Sequence, residues 1–340
     1  MSKIIITGSC GFIGSSLCDY FLEKKIKFLG IDNLSYGYKD YLYDENNNIK
    51  YDFLEKDICD EDIIDYINKD DIIIHLAAIS SLAENQSNPI KCYKNNVLGT
   101  INLLEAGRKK GISHFIFAST SAIYENATVF PCSENDNIND PYLLYSLSKF
   151  NCEQIINSYN KNYNLNYSII RFFNVYGPKN DYFRKLPPLI PYVVNELYAD
   201  RVPELHSDGE QKRDYLYIDD LIDLVMKILE NKNHINNVFN ASSNNIYSVN
   251  DIYNIISKKF NKNIVPIYKN PDKFWEKYTE LYTGELRFND EIIINEVNKF
   301  TLGDNKKGEE LLGWKATTDI ETGLQNIVEY YKKLMSQRNK

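Results

Sequence analysis

The stretch that decides the fold reads KIIITGSCGFIG and spans Lys3–Gly14. It opens with a short apolar run, Lys3–Thr7, which is typical of a buried parallel strand. Three glycines follow, and an apolar pattern with helical spacing begins directly after the second of them. A glycine-rich turn between a strand and a helix predicts an anion-binding loop. In such a loop Gly8 permits the tight turn, Gly11 lets backbone N–H groups approach a pyrophosphate, and Gly14 permits close helix packing.

An acidic residue strengthens this interpretation, because the GxxGxxG spacing differs from the GxGxxG of dinucleotide-binding loops. Asp32 ends a second predicted strand, Lys27–Asp32, 18 residues after Gly14. A carboxylate there can bind both ribose hydroxyls of an adenosine and would repel a 2′-phosphate. No arginine occurs in Asn33–Gly37, so the sequence predicts NAD, not NADP. The structural alternative is a glycine-rich turn beside an exposed aspartate.

Strands and helices alternate through the first half of the chain, which predicts an α/β fold with a doubly wound parallel sheet. Short apolar runs predict strands at Lys3–Thr7, Lys27–Asp32, Ile72–Leu76, His114–Ala118, Ser168–Phe173 and Val238–Ala241. Helical spacing predicts helices over Phe12–Lys25, Asn95–Lys110 and Thr318–Met335. From about Gly177 prolines become more frequent, and the regular alternation of strands and helices ends. We expect a Rossmann-type lobe over residues 1–177, with a return segment at about 214–245, and a smaller, interleaved substrate lobe over 178–213 and 246–340.

Composition excludes several classes of protein. The 340 residues include 47 acidic and 39 basic side chains, a net charge of −8, which disfavours nucleic acid as a partner. No apolar run approaches the roughly 18 residues of a membrane helix. The six cysteines form no CxxC pair and the four histidines are dispersed, so no metal site is expected and the thiols indicate a reduced, cytoplasmic protein.

A second group of residues has side chains suited to proton transfer. Tyr145 and Lys149 lie four residues apart, so a helix would place them on one face. A tyrosine hydroxyl becomes a usable base when a nearby ammonium stabilises its phenolate. The spacing alone is weak, since it recurs in Tyr20–Lys24. Thr120 and Ser121, however, follow a buried strand, at the edge where open α/β sheets bind ligands. Their hydroxyls can hold a substrate hydroxyl for proton removal; a turn or an N-cap is the structural alternative.

With these motifs the chain resembles the extended short-chain dehydrogenase/reductase family, and within it the NAD-dependent nucleotide-sugar epimerases and dehydratases. The resemblance rests on an ordered series of motifs: Thr7–Gly14, Asp32–Ser35, His75–Ala78, Asn96–Thr100, Thr120–Tyr124, Tyr145–Lys149 with Glu153, Arg171–Pro178, Gly209–Tyr215 and Glu310–Trp314.

The resemblance implies a role for each matching residue. Tyr145 would take the proton of the sugar C4 hydroxyl while NAD takes the C4 hydride. Lys149 would bind the nicotinamide ribose and lower the pKa of Tyr145, and Thr120 would hold the same hydroxyl. The implied cofactor contacts are Gly8, Gly11, Phe12, Ile13, Gly14, Asp32, Asn33, Asp57, Ile58, Ala77, Ala78, Asn96, Tyr145 and Lys149. The implied substrate contacts are Ser81, Thr120, Ser121, Asn174, Arg213 and Arg287.

Departures from the family pattern narrow the expected reaction. Dehydratases carry Asp-Glu after the threonine, whereas this chain has Ser121 and Ala122, which can act neither as acid nor as base. We therefore expect a C4-epimerase of a UDP-hexose or a derivative. Alternatives are a 4-dehydrogenase or 4,6-dehydratase that releases a 4-keto sugar, and a non-catalytic nucleotide sensor. Glu84 stands where many epimerases carry arginine, and the second phosphate-binding arginine has Arg287 as its nearest candidate.

The resemblance also implies how the chain assembles. Members of the family commonly dimerise through two helices, which correspond here to Asn95–Lys110 and Tyr145–Tyr159. We expect a homodimer that binds a small-molecule nucleotide sugar.

Overall fold

The structure is a computed structural model that describes residues 3–138 and 140–338. Within these residues the strands are β1 (Ile4–Thr7), β2 (Phe28–Asp32), β3 (Asp52–Glu55), β4 (Ile72–His75), β5 (His114–Thr120), β6 (Tyr167–Phe172), β7 (Asn174–Tyr176), β8 (Glu204–His206), β9 (Lys212–Tyr217), β10 (Asn237–Ala241), β11 (Ile246–Ser248) and β12 (Ile267–Lys269). The α-helices are α1 (Phe12–Glu23), α2 (Leu82–Ser87), α3 (Pro89–Tyr93), α4 (Gly99–Lys110), α5 (Leu144–Tyr163), α6 (Leu189–Tyr198), α7 (Ile218–Glu230), α8 (Val249–Phe260), α9 (Asp290–Asn298), α10 (Lys306–Leu312) and α11 (Ile320–Arg338).

Seven parallel strands form the central sheet in the order β10-β6-β5-β4-β1-β2-β3. The chain order reverses at β1, where Ile4 pairs with Phe28 of β2 on one side and with Ile72 of β4 on the other. This doubly wound arrangement confirms the predicted Rossmann-type α/β fold. All six predicted strands belong to the sheet. The edge strand β3 escaped prediction because polar residues at both of its ends interrupt the apolar pattern.

Helices cover both faces of the sheet, because its strands are apolar on both sides. The residues Ile5 and Ile6 point to opposite faces and are both fully buried, each in a different apolar cluster. One predicted helix has two parts, since a π-helical turn over Lys94–Leu98 precedes α4. The two clusters fix the orientation of α1, which follows the glycine loop, and of α5, which carries Tyr145.

The later part of the chain adds two small sheets that the sequence pattern does not reveal. β7 pairs with β9 in parallel, and β11 pairs with β9 in the antiparallel direction; β12 and β8 form a separate pair. Each of these strands except β9 has only three residues, too short for a period to be recognised. Between them, β10 returns to the central sheet beside β6. Among the helices of residues 3–138 and 140–338, none is both long and apolar enough to cross a membrane.

Candidate active site

The three glycines of the loop between β1 and α1 meet different constraints. Gly8 has a φ of 74°, and a Cβ there would lie 2.8 Å from the backbone N of Ala77. A Cβ on Gly14 would lie 2.0 Å from the carbonyl O of Gly8, so the loop and the helix touch through their backbones. A Cβ on Gly11 would instead meet the Gly8 carbonyl O at 3.4 Å, an ordinary contact. The fold therefore requires Gly8 and Gly14, whereas Gly11 is open toward the cleft.

The first turn of α1 fits an anion. Its N-cap is Gly11, and no side chain of the described residues caps this helix by a hydrogen bond. The first N–H groups of a helix lack intrahelical partners, and the helix dipole places partial positive charge there. Phe12, Ile13 and Gly14 form this turn. The loop thus has the backbone donors that a pyrophosphate needs.

Asp32 lies at the end of the neighbouring strand, β2. Its carboxylate accepts hydrogen bonds from the backbone N of Cys10 at 3.0 Å and of Leu34 at 2.7 Å. Burial raises the pKa of Asp32, and the two backbone donors oppose that effect. The side chain is therefore fixed in one orientation at the wall of the cleft, as ribose binding requires.

One cavity brings together seven of the fourteen predicted cofactor residues at the edge of the sheet where β1, β2 and β4 end. The predicted residues that line it are Gly8, Gly11, Asp32, Asn33, Ile58, Ala77 and Ala78. It is also lined by residues that the sequence did not single out: Ile31, Ser35, Tyr36, Gly37, Lys56, Leu76 and Asn95.

Two predicted cofactor residues support this wall from behind. Asp57 accepts a hydrogen bond from Asn33 Nδ2 at 2.9 Å. The Asn96 side chain forms two hydrogen bonds with the backbone of Ile79. Its Oδ1 accepts from the N of Ile79 at 2.9 Å, and its Nδ2 donates to the O of Ile79 at 3.1 Å. These contacts hold the wall in place, and Asn95, the residue before Asn96, lines the cavity; a direct contact of Asn96 with the cofactor stays a prediction.

His75 is a neutral structural residue at the end of β4. Its Nδ1 lies 2.7 Å from the Thr7 hydroxyl, and its Nε2 lies 3.0 Å from the Thr100 hydroxyl. Burial lowers the pKa of His75 to about 3.

Tyr36, which lines the cavity, contacts Glu84 and Lys91, and we call these three side chains the Tyr36 clasp. The Tyr36 hydroxyl donates to the Glu84 carboxylate, and Lys91 Nζ donates to the Tyr36 hydroxyl at 2.5 Å. Lys91 Nζ also lies 4.8 Å from the centroid of the Tyr36 ring. The clasp joins the loop after β2 to α2 and α3. It gives a structural role to Glu84, which occupies the arginine position of many epimerases.

The Thr120 and Tyr145 hydroxyls meet at the same edge of the sheet. Thr120 is the last residue of β5, and Tyr145 lies in the first turn of α5. The Thr120 side chain lies close enough to the Tyr145 hydroxyl to act on its ionisation, and Thr120 Oγ1 also accepts from the N of Ala122 at 3.1 Å. Burial raises the pKa of Tyr145 to about 12, and the Thr120 side chain opposes this rise.

Lys149 follows Tyr145 by one helical turn, as the spacing predicts. Its side chain is 3% exposed, and its Nζ donates to the carbonyl O of Ala118 at 2.8 Å. The Nζ also lies 4.7 Å from the centroid of the Phe117 ring. Burial lowers the pKa of Lys149 to about 8. The ammonium is thus tied to β5, beside the strand end that carries Thr120.

A buried ion pair supports that strand end. Glu153, on α5, accepts from Arg171 Nε at 3.1 Å and from Nη2 at 2.7 Å, and Ser119 Oγ donates to it at 2.5 Å. Arg171 Nη1 donates to the Tyr124 hydroxyl at 2.7 Å. The network connects β5, β6 and α5 directly behind Thr120.

The structure separates the predicted substrate residues. Asn174 Nδ2 donates to the carbonyl O of Asp214 at 2.8 Å. Arg213 Nη2 donates to the carbonyl O atoms of Glu296 at 2.9 Å and Val297 at 3.0 Å, at the C-terminal end of α9. These contacts fix both side chains between β9 and its neighbours.

Two of the predicted substrate residues make other contacts in the structure, and their substrate roles stay predictions. Arg287 is 60% exposed and pairs with Asp290 at 3.1 Å, so the structure does not bring it to the Thr120–Tyr145 centre. Ser81 is buried, and its hydroxyl caps α2 by accepting from the N of Glu84. Ser121 begins the 3₁₀ turn directly after Thr120 and remains beside the centre.

Arg184 was not among the predicted site residues; it lies in the loop between β7 and α6. Burial raises the pKa of Tyr145, and the Thr120 side chain and the positive charge of Arg184 oppose that rise; the effect that the resemblance implies for Lys149 stays a prediction. It pairs with Asp181 at 3.2 Å and lies 3.4 Å from the Ser80 hydroxyl. No local pattern marks it, because only the path of the loop brings it to the site. In the described part of the chain, no group of His, Cys, Asp and Glu side chains could hold a metal ion.

The fold and the site together define an NAD-binding α/β enzyme with a threonine–tyrosine–lysine centre at the edge of its parallel sheet. The chain belongs to the NAD dependent epimerase/dehydratase family, and the sequence model of that family matches residues 4–242.

Several proteins are similar to the chain over nearly its whole length. A Methanocaldococcus jannaschii protein named "Putative UDP-glucose 4-epimerase" is 33% identical over 332 residues, 97% of this chain and 98% of that protein. The UDP-glucose 4-epimerase of Thermotoga maritima, solved with UDP-glucose, is 29% identical with a TM-score of 0.84, covering 98% of this chain and 99% of that one. A UDP-glucuronic acid 4-epimerase variant from Bacillus cereus, solved with a UDP-4-deoxy-4-fluoro-glucuronic acid and NAD, is 26% identical with a TM-score of 0.82 and the same coverage.

Proposed function

We propose that the protein is an NAD-dependent nucleotide-sugar C4-epimerase that acts on a UDP-hexose or a derivative of one. The observation that carries the proposal is the placement of Thr120 at the end of β5 and of Tyr145 in the first turn of α5, with Lys149 one helical turn away. The relatives named as UDP-sugar 4-epimerases support the choice of nucleotide and of reaction.

The side chains of the centre would handle one proton. Thr120 would hold the C4 hydroxyl of the sugar against Tyr145, whose phenolate takes the proton and later returns it. Lys149 would hold the cofactor ribose and add positive charge to the centre. Bound NAD supplies a hydride acceptor that becomes the donor in the return step. Rotation of the 4-keto sugar between the two transfers inverts C4, and no net redox change results.

The residues after Thr120 favour epimerisation over dehydration. Loss of the C6 hydroxyl requires an acid and a base, and the positions that carry them in dehydratases hold Ser121 and Ala122. Enzyme-bound NADH with a stable keto product would instead indicate a 4-dehydrogenase. A non-catalytic sensor is disfavoured, because binding alone does not require a hydroxyl pair aligned for proton transfer.

The phosphates of the nucleotide sugar would lie near β9. We propose Arg213 as their guanidinium donor and Asn174 as a polar neighbour. The two carbonyl contacts from α9 hold the plane of the guanidinium fixed.

We also propose the bounds of the two lobes. The cofactor lobe would comprise residues 1–177 with the return strand β10, and the substrate lobe would comprise the remainder.

The experiment compares the protein with two tyrosine variants. UDP-glucose, UDP-galactose and their N-acetyl and uronic forms are incubated separately, and the C4 epimers are separated and measured. Tyr145→Phe should lose turnover by about 10²-fold or more while it still binds NAD. Tyr20→Phe is the matched control, because Tyr20 lies on α1 four residues before Lys24, the C-cap of that helix. This variant should leave turnover unchanged. No conversion of any UDP-sugar, with conversion of a GDP- or dTDP-sugar, would refute the UDP assignment.

Assembly is a separate proposal. We propose a homodimer through α4 and α5, adjoining the exposed apolar side chain Leu98, which is 56% exposed. A monomeric mass by light scattering at micromolar concentration would contradict it.

The six cysteines are all free thiols, which supports a cytoplasmic location.

A further inference from the structure

Lys56 is the one basic side chain among the described residues that line the cofactor cavity. It directly follows β3, and its backbone N donates to the carbonyl O of Asp32 at 3.0 Å. The register of β2 and β3 places Asp32 opposite Glu55, the residue before Lys56. The lysine therefore leaves the sheet beside the carboxylate that is predicted to bind the adenosine ribose.

Two aspartates hold the ammonium of this lysine. Lys56 Nζ lies 2.6 Å from the Asp62 carboxylate and 3.6 Å from that of Asp60. Among the described residues, neither aspartate lines the cavity. Asp60 precedes the 3₁₀ turn over Glu61–Tyr66, but its side chain does not cap that turn by a hydrogen bond. The ion pairs thus direct the ammonium toward the rim and offset its charge, and the turn does not depend on the carboxylate of Asp60.

The position of this group matters because NAD and NADP differ there. NADP carries an additional phosphate on the 2′ oxygen of the adenosine ribose. A carboxylate beside that oxygen disfavours the phosphate, whereas a basic side chain nearby accommodates it. Asp32 supplies the carboxylate, and a free Lys56 would supply a compensating cation from the neighbouring strand.

We propose that Asp60 and Asp62 are specificity-determining residues that act through Lys56. They withhold its ammonium from a 2′-phosphate, so that the cavity selects NAD over NADP. The inference goes beyond the proposed function, because it concerns the cofactor alone and holds for any sugar nucleotide.

The test measures the ratio of two dissociation constants and needs no turnover. NADH bound to the protein is displaced by NAD or by NADP, and the loss of NADH fluorescence gives the affinity of each competitor. The unmodified protein should prefer NAD by about ten-fold or more. Asp60→Asn/Asp62→Asn keeps both side-chain sizes and frees the ammonium, so this variant should reduce the preference by about five-fold or more. Asp62→Asn alone removes the closer partner and should give a smaller change of the same sign.

A double-mutant cycle separates the freed ammonium from the charge of the aspartates themselves. In a Lys56→Gln background, the substitutions Asp60→Asn and Asp62→Asn should change the ratio by no more than about two-fold, because no ammonium remains to be freed. Equal changes in the two backgrounds would overturn the inference.

The matched control removes an acidic side chain between the two aspartates. Glu61 is exposed, and in the described structure Lys56 pairs with its two neighbours but not with it. Glu61→Gln changes the net charge as Asp62→Asn does and should leave the ratio unchanged. The inference would also fail if Glu61→Gln shifted the ratio as much as Asp62→Asn, if Asp60→Asn/Asp62→Asn left it unchanged, or if the unmodified protein bound NADP as tightly as NAD.

Discussion

The buried pair between Glu153 and Arg171 makes the sharpest stability prediction. The side chains are 4% and 6% exposed, and the fork places two N–H donors on the two carboxylate oxygens. Glu153→Gln keeps the shape but removes the charge, which leaves a buried guanidinium uncompensated. Breaking such a pair from one side costs about 3–5 kcal/mol. We therefore expect Glu153→Gln to lower the free energy of unfolding by about that amount.

A second fork in the same protein is the matched control. Arg108 donates to both oxygens of Glu105 at 2.9 Å, but these side chains are 33% and 31% exposed. Water screens such pairs, and they contribute about 0–1 kcal/mol. Glu105→Gln should therefore change the free energy of unfolding by less than about 1 kcal/mol.

The assay is urea unfolding at pH 7, followed by circular dichroism, with all variants at the same NAD concentration because bound cofactor itself adds stability. The double variant Glu153→Met/Arg171→Met removes both charges and should recover most of the loss. Equal losses in Glu153→Gln and Glu105→Gln would refute the reasoning. So would a double variant no more stable than Glu153→Gln.

Three further predictions concern the cofactor side. Gly11→Ala should fold normally but bind NAD at least ten-fold more weakly by calorimetry, whereas Gly14→Ala should lose about 1–3 kcal/mol of stability through backbone overlap; equal stability in both variants would contradict this. Tyr36→Phe should release NAD faster in stopped-flow displacement, because it opens the Tyr36 clasp, and an unchanged release rate would show that the clasp does not hold the cofactor. Because the pKa of Lys149 is lowered to about 8, the unfolded chain binds more protons between about pH 8 and 10.5, and the stability of the protein relative to Lys149→Met should rise through that window; a constant difference would show that the pKa is not lowered.

Much of the site follows from patterns that are local in the chain. The apolar runs before Gly8 and Asp32 predict strands, and parallel strands bring their C-terminal ends to one edge of the sheet. That rule is enough to gather most of the cofactor cavity. Tyr145 and Lys149 share a helical face for the same reason, since four residues make about one turn.

The tertiary structure alone decided what each polar side chain contacts. Arg287 was favoured by its position in the chain, yet it pairs with Asp290 at the surface, while Arg184, with no motif around it, reaches Ser80 across the cleft. Charge–charge interactions depend on distance through space, and distance between loops depends on how strands and helices pack. The sequence by itself determined the strand–loop–helix geometry and the nature of the cofactor, because these depend on neighbouring residues. The contacts of Arg184 and Arg287, and the burial that raises the pKa of Tyr145, were decided only when distant segments met.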